Sequence, residues 1–350
     1  MTFIQNRRFY RIAFISGIVL LIGLIIFAAN LGVAHISWRQ SLAVICSRIP
    51  LLNKLVSVKQ IDPAVVTIIY NLRLPRILLA TLLGAGLAVA GAALQGIFKN
   101  AMADPFVLGI SSGAALGASL AMVLGITATF LGIGIITIAA FGGGIATVFL
   151  VYNIARIGNK IPSITLLLSG IAVNLFLTSL MSLVMTFKRE QIERIVMWTM
   201  GSVATANWTQ IAFLLPVILL SVGLIMVYAR DLNVMLIGDE TARSLGVEVE
   251  KVKKTILIIS TLMVATLVSV SGVVGFIGLI VPHMVRMIFG PDHRVVIPFS
   301  ALGGAILLVI CDSFARILLP PNEIPLGIIT SLLGVPFFLY LIANTKKKVI

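Results

Sequence analysis

Long apolar runs alternate with short polar stretches along most of the chain. Ten runs stand out, at about 12–34, 77–98, 106–126, 130–152, 164–187, 209–229, 255–273, 274–289, 295–311 and 325–343. A hydrocarbon core of about 30 Å takes about 20 apolar residues as a helix, and several runs reach that length without a charge. The period-2 alternation of an outer-membrane barrel is missing. The pattern therefore predicts an all-α integral membrane protein with about ten transmembrane helices.

Composition supports a membrane protein and excludes a soluble globular one. Of the 350 residues, 59% are hydrophobic and 11% are charged, and the mean hydropathy is +1.14. The net charge of +14 could indicate a nucleic-acid partner, but Lys and Arg cluster at the edges of the apolar runs, where cytoplasmic loops collect them. No nucleic acid is therefore expected as a partner. The two cysteines, Cys46 and Cys311, have no spacing typical of metal or redox sites.

Charge placement predicts the topology. An even number of spans puts both termini on one side of the membrane. The basic residues near the two ends then mark that side as cytoplasmic: Arg7, Arg8 and Arg11 at the start, and Lys346, Lys347 and Lys348 at the end. The run at 12–34 is too long for a signal peptide and is predicted to be a retained first helix. With no strong internal repeat or linker, residues 1–350 are predicted to form a single transmembrane domain.

One loop departs from this rule. Residues 35–76 fall outside on this count, although they carry six Lys or Arg residues against the single acid Asp62. Either the topology is wrong, or the outside cations meet an acidic partner. We favour the second interpretation.

The segment 231–254, DLNVMLIGDETARSLGVEVEKVKK, is a long charged stretch between two apolar runs. A segment this polar must lie in water, and its middle favours a short helix that begins near an N-cap at Asp239 and ends at a C-cap at Gly246. Because the same count places it on the cytoplasmic side, it is predicted to be a docking surface for a soluble partner. The alternative is a solvated loop.

Two sets of residues within the apolar runs have helical spacing. Small residues recur every fourth position at Gly84, Ala88, Ala92 and Gly96, which favours close packing between helices. In the run at 164–187, Asn174, Thr178 and Ser182 share one face and could line a path through the membrane.

Five strings occur in one order along the chain: RLPR at 73–76, GAGLAVAGAALQGIFKNAMADPFVLGISSGAALGA from Gly84, LIGDETARSLGV at 236–247, GFIGLIVPHMVR at 275–286 and EIPLGIITSLLGVPFF at 323–338. Together they closely resemble the permeases of ATP-binding-cassette importers for iron-siderophores, haem and cobalamin, the FecCD transport family. The resemblance is collinear and covers nearly the whole chain.

The resemblance implies the type II importer permease fold and a location in the bacterial cytoplasmic membrane. It also implies three kinds of partner, namely a second permease that is identical or homologous, two cytoplasmic ATPases and an extracytoplasmic binding protein. An iron(III)-siderophore-type chelate is the leading substrate, and cobalamin or haem is the alternative. A rival class is the ion-coupled secondary transporter, which usually carries an ionisable residue or a broken helix near the bilayer midplane. Here Asp104, Asp312 and Glu323 lie toward the ends of the runs.

The chain has no GxxxxGK[ST] phosphate loop. We therefore expect a pore subunit without catalytic residues or a bound cofactor, while a partner ATPase uses ATP with magnesium. No metal site is predicted, because His283 has no second ligand at helical spacing.

The resemblance also assigns roles to residues. The coupling helix that contacts the ATPase is implied to include Gly238, Asp239, Glu240, Arg243, Ser244, Leu245 and Gly246. Arginines that receive acidic groups of the binding protein are implied at Arg73, Arg76 and Arg316. The alternatives are that Arg76 extends to the membrane interface and that Arg316 pairs with Asp312 at i, i+4.

A cytoplasmic gate is implied at the turn formed by Pro162, Ser163 and Ile164, next to the polar face of the 164–187 run. The apolar Ile164 departs from the paired small hydroxyl residues found in the cobalamin relative.

Overall fold

The computed structural model describes residues 7–32, 34, 36–48, 61–126, 128–130, 133–158 and 161–346, and their regular structure is almost entirely helical. The α-helices are α1 Arg7–Asn30, α2 Trp38–Ser47, α3 Pro63–Thr67, α4 Leu74–Phe98, α5 Ile110–Val123, α6 Ile135–Ala155, α7 Ser163–Phe187, α8 Ile192–Thr199, α9 Trp208–Val227, α10 Ala229–Met235, α11 Asp239–Ser244, α12 Val249–Ser271, α13 Ile277–Phe289, α14 His293–Ile317 and α15 Leu326–Lys346. A π-helical stretch, Ile68–Arg73, joins α3 to α4, and 3-10 turns cover Pro105–Leu108 and Arg189–Gln191. Strands β1 Thr129–Phe130 and β2 Ile133–Gly134 form a small antiparallel hairpin.

Ten of these helices correspond one by one to the ten apolar runs. Within the described residues, seven helices are long and apolar enough to cross a membrane: α1, the continuous helix Pro63–Phe98, α6, α7, α9, α12 and α14. Three shorter apolar helices, α5, α13 and α15, account for the remaining runs. The prediction of an all-α membrane protein with about ten membrane helices is confirmed.

The ends of the helices gather at two faces. The Tyr10 hydroxyl near the start of α1 donates to the Phe289 carbonyl at the end of α13, 3.3 Å away, and segment 231–254 joins this same face through an ion pair between Lys99 and Asp239. We call it the 231–254 face. The opposite face contains the Ser202 amide bonded to the Ser271 carbonyl at 2.7 Å.

Helix α1 begins at the 231–254 face, and α15 begins at the opposite face, where the Leu326 amide donates to the Gly201 carbonyl at 2.9 Å. Both ends of the described chain therefore lie on the 231–254 face, in agreement with an even number of spans. Lys347 and Lys348 lie outside the described residues. That this face is cytoplasmic stays a prediction.

Helix α4 lies at the centre of the bundle and packs against α9, α12, α13 and α14. Its small residues allow this packing. A Cβ added to Gly84 would overlap the Gly304 carbonyl, and one added to Gly96 would lie 2.7 Å from His293 Nε2, both in α14. The predicted packing role of the four-residue spacing is confirmed.

Two of the shorter helices begin inside the protein, and they enter from opposite faces. After α4 ends at Phe98, the chain returns inward, so that Gly109, the N-cap of α5, lies against Gly170 in the interior of α7. After α12 ends at Ser271, the chain turns inward and α13 begins beside Gly91, in the interior of α4. The segment between α4 and α5 meets the segment between α12 and α13 where the Phe106 ring packs near Gly275. The runs predicted at 106–126 and 274–289 therefore begin before their α-helices. Residues 106–108 belong to the 3-10 turn, and residues 274–276 are non-helical.

Candidate functional site

Segment 231–254 contains the short helix that the sequence predicts. Helix α11 covers Asp239–Ser244, and Leu245 is its C-cap. Gly246 follows with φ of 86°, a left-handed conformation that favours glycine. The predicted N-cap is wrong by one residue, because Gly238 is the N-cap and Asp239 begins the helix. The Asp239 carboxylate does not cap the helix and instead pairs with two lysines.

Asp239 fastens α11 to the helical body. Its Oδ1 lies 2.5 Å from Lys99 Nζ, at the end of α4, and its Oδ2 lies 2.6 Å from Lys253 Nζ in α12. Burial alone would raise the pKa of Asp239, but the hydrogen bonds and charges of Lys253 and Lys99 lower it below its ordinary value. Because the pKa is lowered on folding, these ion pairs stabilise the protein above the ordinary pKa of an aspartate. That contribution disappears as the pH falls through the lowered pKa.

The other side of α11 is open to solvent. Ala242 is fully buried against the body, whereas Glu240, Arg243 and Ser244 are exposed. Leu245 is 63% exposed. An exposed leucine beside charged groups, on a helix that is fixed from behind, is a surface suited to binding another protein.

A second contact connects α11 with the start of α7. Arg243 Nη2 lies 3.2 Å from Glu250 Oε1. The other oxygen of Glu250 accepts a hydrogen bond from the Ile161 amide at 3.2 Å. Ile161 immediately precedes the predicted gate, so one carboxylate joins the exposed helix to the gate segment.

The predicted gate residues lie where α7 begins. Pro162 is the N-cap residue, Ser163 is the first residue of the helix, and Ile164 is 74% exposed. The structure therefore places the three residues on the 231–254 face, next to segment 231–254.

The polar residues of α7 lie on a face that the rest of the chain leaves uncovered. Thr178 and Ser182 are exposed, and Asn174 is half-buried. The Thr178 hydroxyl donates to the Asn174 carbonyl at 2.8 Å, and the Ser182 hydroxyl donates to the Thr178 carbonyl at 3.0 Å. Because the hydroxyls of Thr178 and Ser182 are satisfied within the helix, these two residues can face either a path or an apolar neighbour.

The three predicted docking arginines lie together on the opposite face. We call them, with Asp312 and Glu323, the arginine cluster. Arg76 Nε lies 2.8 Å from Asp312 Oδ1, and Arg76 Nη1 lies 2.7 Å from Glu323 Oε2. Arg316 Nε lies 3.2 Å from Asp312 Oδ2, which confirms the i, i+4 pair.

Arg73 and Arg316 also stabilise the end of α1. Arg73 donates to the Ala29 and Ala34 carbonyls at 2.8 and 2.7 Å, and Arg316 donates to the Leu31 and Ala28 carbonyls, both at 3.1 Å. A helix terminus leaves such carbonyls without partners, and arginine side chains satisfy them here. All three arginines are less than 10% exposed. Their role in docking a partner stays a prediction.

Several residues that build these sites have no clear sequence signal. Lys99 comes from a different helix than its partner Asp239, and Glu323 pairs with a residue far away in the chain. Glu250 has a weak signal, because it lies only seven residues after Arg243, although in the next helix.

A polytopic helical bundle with an anchored, solvent-exposed helix on one face and a polar, uncovered membrane helix defines a membrane transport subunit. Residues 19–344 match the FecCD transport family. The chain belongs to this family, and it is a multi-pass permease subunit of an ATP-binding-cassette importer.

Similar proteins cover most of the chain. The cobalamin import system permease protein BtuC of Halobacterium salinarum is 43% identical over 281 residues, which are 80% of this chain and 74% of the relative. The hemin transport system permease protein HmuU of Yersinia pestis is 42% identical, over 79% of this chain and 84% of the relative. A solved inward-facing transporter assigned to the metal-chelate type matches with a TM-score of 0.80 and 31% sequence identity. The match covers 95% of this chain and 99% of the chain of that transporter.

Proposed function

We propose that this chain forms the pore of an ATP-driven importer that passes a metal chelate from an extracytoplasmic binding protein into the cytoplasm. The observation that carries the proposal is α11, an exposed helix fixed to two membrane helices through Asp239. In this proposal, the chain spans the bacterial inner membrane and its 231–254 face is cytoplasmic.

Two ATPase subunits that use ATP with magnesium would bind the exposed side of α11. Glu240, Arg243, Ser244 and Leu245 supply this contact surface. Because Asp239 and Ala242 fix the helix from behind, a displacement of α11 reaches α4 and α12 directly. The link from Arg243 through Glu250 to Ile161 carries the same displacement to the gate at Pro162, Ser163 and Ile164.

A second permease, identical or homologous, would complete the path along α7. The uncovered face offers the amide of Asn174 and the hydroxyls of Thr178 and Ser182 among large exposed apolar side chains such as Leu175. A mixed surface of this kind gives weak, distributed contacts to a bulky organic ligand and no strong binding site at which the ligand would stop.

The binding protein would meet the arginine cluster with acidic groups. The Glu323 side chain is 43% exposed while its carboxylate binds Arg76. An incoming carboxylate can compete with Glu323 for the Arg76 guanidinium, which accepts two oxygens at once. Arg73 and Arg316, which are fixed to the end of α1, add positive charge beside this position.

An iron(III)-siderophore-type chelate is the proposed substrate, and cobalamin or haem is the alternative. Support for the chelate class comes from the similarity to a cobalamin permease, a hemin permease and a metal-chelate transporter. All three substrates are large, metal-containing organic molecules.

The test is uptake by proteoliposomes that contain the permease with its ATPase, supplied with binding protein and one of the three radiolabelled substrate classes. The variant Leu245→Ala is expected to lower ATP-driven uptake by about tenfold, because loss of a contact of about 1–2 kcal/mol weakens ATPase association. The matched control is Leu219→Ala in α9, a leucine that is 62% exposed on a membrane helix. This control is expected to keep normal uptake.

Equal uptake by Leu245→Ala and the wild type would contradict the role of α11. Uptake that needs a proton or sodium gradient and continues without ATP would contradict the importer class. Transport of none of the three substrates would contradict the proposed substrate class.

A further inference from the structure

An apolar groove of about 300 Å³ lies between α6 and α12 and has no role in the proposed transport path. Ile145, Val148, Phe149 and Tyr152 line it from α6, and Lys254, Leu257, Ile258, Thr261 and Leu262 line it from α12. Phe149 is 69% exposed and Ile258 is 49% exposed, so the groove is open to the surroundings of the bundle.

The groove begins beside a close contact between the two helices. They approach closely where Gly144 faces Ala265, since a Cβ on Gly144 would lie 3.4 Å from the Ala265 Cβ. From this contact toward the 231–254 face, the residues that line the groove are larger, as at Tyr152 and Leu257. The groove thus runs from the level of Leu262 to Tyr152 and Lys254, next to the polar segment.

The length of the groove matches one leaflet. Lys254 and Leu262 mark its ends on α12, and at 1.5 Å per residue they lie about 12 Å apart along the helix. Half of a hydrocarbon core of about 30 Å is about 15 Å. A single acyl chain can therefore lie along the groove with its headgroup at the level of Lys254.

Lys254 is a cation that the fold leaves available. Glu250 lies four residues earlier, the usual spacing for a salt bridge on a helix. Both of its oxygens are engaged elsewhere, by Arg243 and by the Ile161 amide. Among the described residues, Lys254 is exposed and has no ion-pair or hydrogen-bond partner.

We propose that this groove binds one anionic phospholipid of the leaflet at the 231–254 face, with an acyl chain between α6 and α12 and the phosphate on Lys254. Charge complementarity selects this occupant, because a basic side chain at the headgroup end of an apolar groove between membrane helices favours an anionic headgroup. Tyr152, at the same end, supplies an amphipathic ring with a hydroxyl that can donate to the phosphate or to an ester oxygen. The proposal rests on the membrane location of the chain and is independent of the direction and substrate of transport.

Native mass spectrometry of the full-length protein, titrated with phosphatidylglycerol or with phosphatidylcholine of identical acyl chains, tests the proposal. The wild type is expected to bind one phosphatidylglycerol more tightly than phosphatidylcholine. Lys254→Ala is expected to weaken phosphatidylglycerol binding about fivefold, as loss of one cation at the membrane surface predicts. It is expected to weaken phosphatidylcholine binding less, because the choline cation already compensates the phosphate of that lipid. The matched control Lys251→Ala removes a neighbouring lysine that pairs with Glu248 and does not line the groove. It is expected to bind like the wild type.

A second variant, Ile258→Trp, fills the groove from an exposed position and is expected to reduce the binding of both lipids. Equal affinity of the wild type for the two lipids would overturn the proposal. So would equal losses in Lys254→Ala and Lys251→Ala, or unchanged lipid binding in Ile258→Trp. If the wild type showed the mass of a dimer and Ile258→Trp showed the mass of a monomer, the groove would instead be assigned to a second copy of the chain. Helix content and unfolding temperature, compared with those of the wild type, verify that each variant is folded.

Discussion

Asp312 lies between the guanidinium groups of Arg76 and Arg316 and is 1% exposed. Its negative charge compensates two buried positive charges at the end of α14. Removal of one partner from a buried ion pair leaves an uncompensated charge in a poorly solvated place. Asp312 therefore has a structural role on which both arginines depend, whatever else binds them.

The variant Asp312→Asn is expected to lower the free energy of unfolding by about 3–5 kcal/mol, because two arginines lose their shared carboxylate. Thermal unfolding in detergent, followed by the fluorescence of the native tryptophans, measures the change. Glu323→Gln is the control, because its side chain is 43% exposed and an exposed pair contributes only about 0–1 kcal/mol. Equal losses of unfolding free energy in the two variants would mean that the burial of Asp312 does not make its ion pairs more important for stability than that of Glu323.

Residue-scale predictions succeeded where the partner is local in sequence. The Arg316–Asp312 pair follows from i, i+4 spacing, and the structure contains it. By contrast, Arg73 bonds to carbonyls at Ala29 and Ala34. No spacing rule connects these residues, because only the packing of α1 beside the start of α4 brings them together.

At the scale of elements, the crossing of α4 and α14 depends on two glycines. A Cβ on Gly84 would overlap the Gly304 carbonyl, and a Cβ on Gly304 would overlap the Gly84 carbonyl. The obstacle in both cases is backbone, which cannot rotate away as a side chain can.

The variant Gly84→Ala is therefore expected to reduce the free energy of unfolding by about 1–3 kcal/mol through overpacking. The matched control is Gly223→Ala in α9, where an added Cβ meets nothing within 4 Å. This control is expected to be neutral or more stable, because alanine is preferred over glycine in a helix by about 0.5–1 kcal/mol. Thermal unfolding of both variants measures the difference, and a stable Gly84→Ala would show that the helices can separate at little cost.

Hydrophobic runs predicted the number of membrane helices, and the charged segment 231–254 predicted the position of α11. Neither predicted where α5 and α13 begin. An apolar residue in a return such as 272–276 has the same hydropathy as one in a helix. The difference arises from backbone conformation, as at Phe276 with φ of 69°, and from close approaches such as Gly91 to Gly278. Both depend on tertiary packing and leave little trace in local sequence.

At the scale of the whole molecule, the two faces have different proposed surroundings. The 231–254 face is proposed to be cytoplasmic, and the arginine cluster is proposed to be outside. The described positions of Ser244 and Lys188 allow a direct test, because both are exposed and lie at opposite faces.

In a Cys46→Ser background, Ser244→Cys is expected to react with a membrane-impermeant maleimide only after the cells are permeabilised. Lys188→Cys is expected to react in intact spheroplasts. The remaining native thiol, Cys311, is 1% exposed and is expected to stay unlabelled in the folded protein. Reaction of the Ser244→Cys variant in intact spheroplasts would contradict the proposed topology and support the opposite orientation.

The contact between Gly144 and Ala265 divides α12 into two parts of unequal length. From Ala265, the helix extends about 23 Å to Glu250 at the 231–254 face and about 9 Å to Ser271 at the opposite face. A tilt of α12 about this contact moves its two ends in opposite directions, and the end near α11 moves about two and a half times as far. Under such a tilt, a large displacement at α11 would become a small, opposed displacement beside Ser202, whose amide is bonded to Ser271.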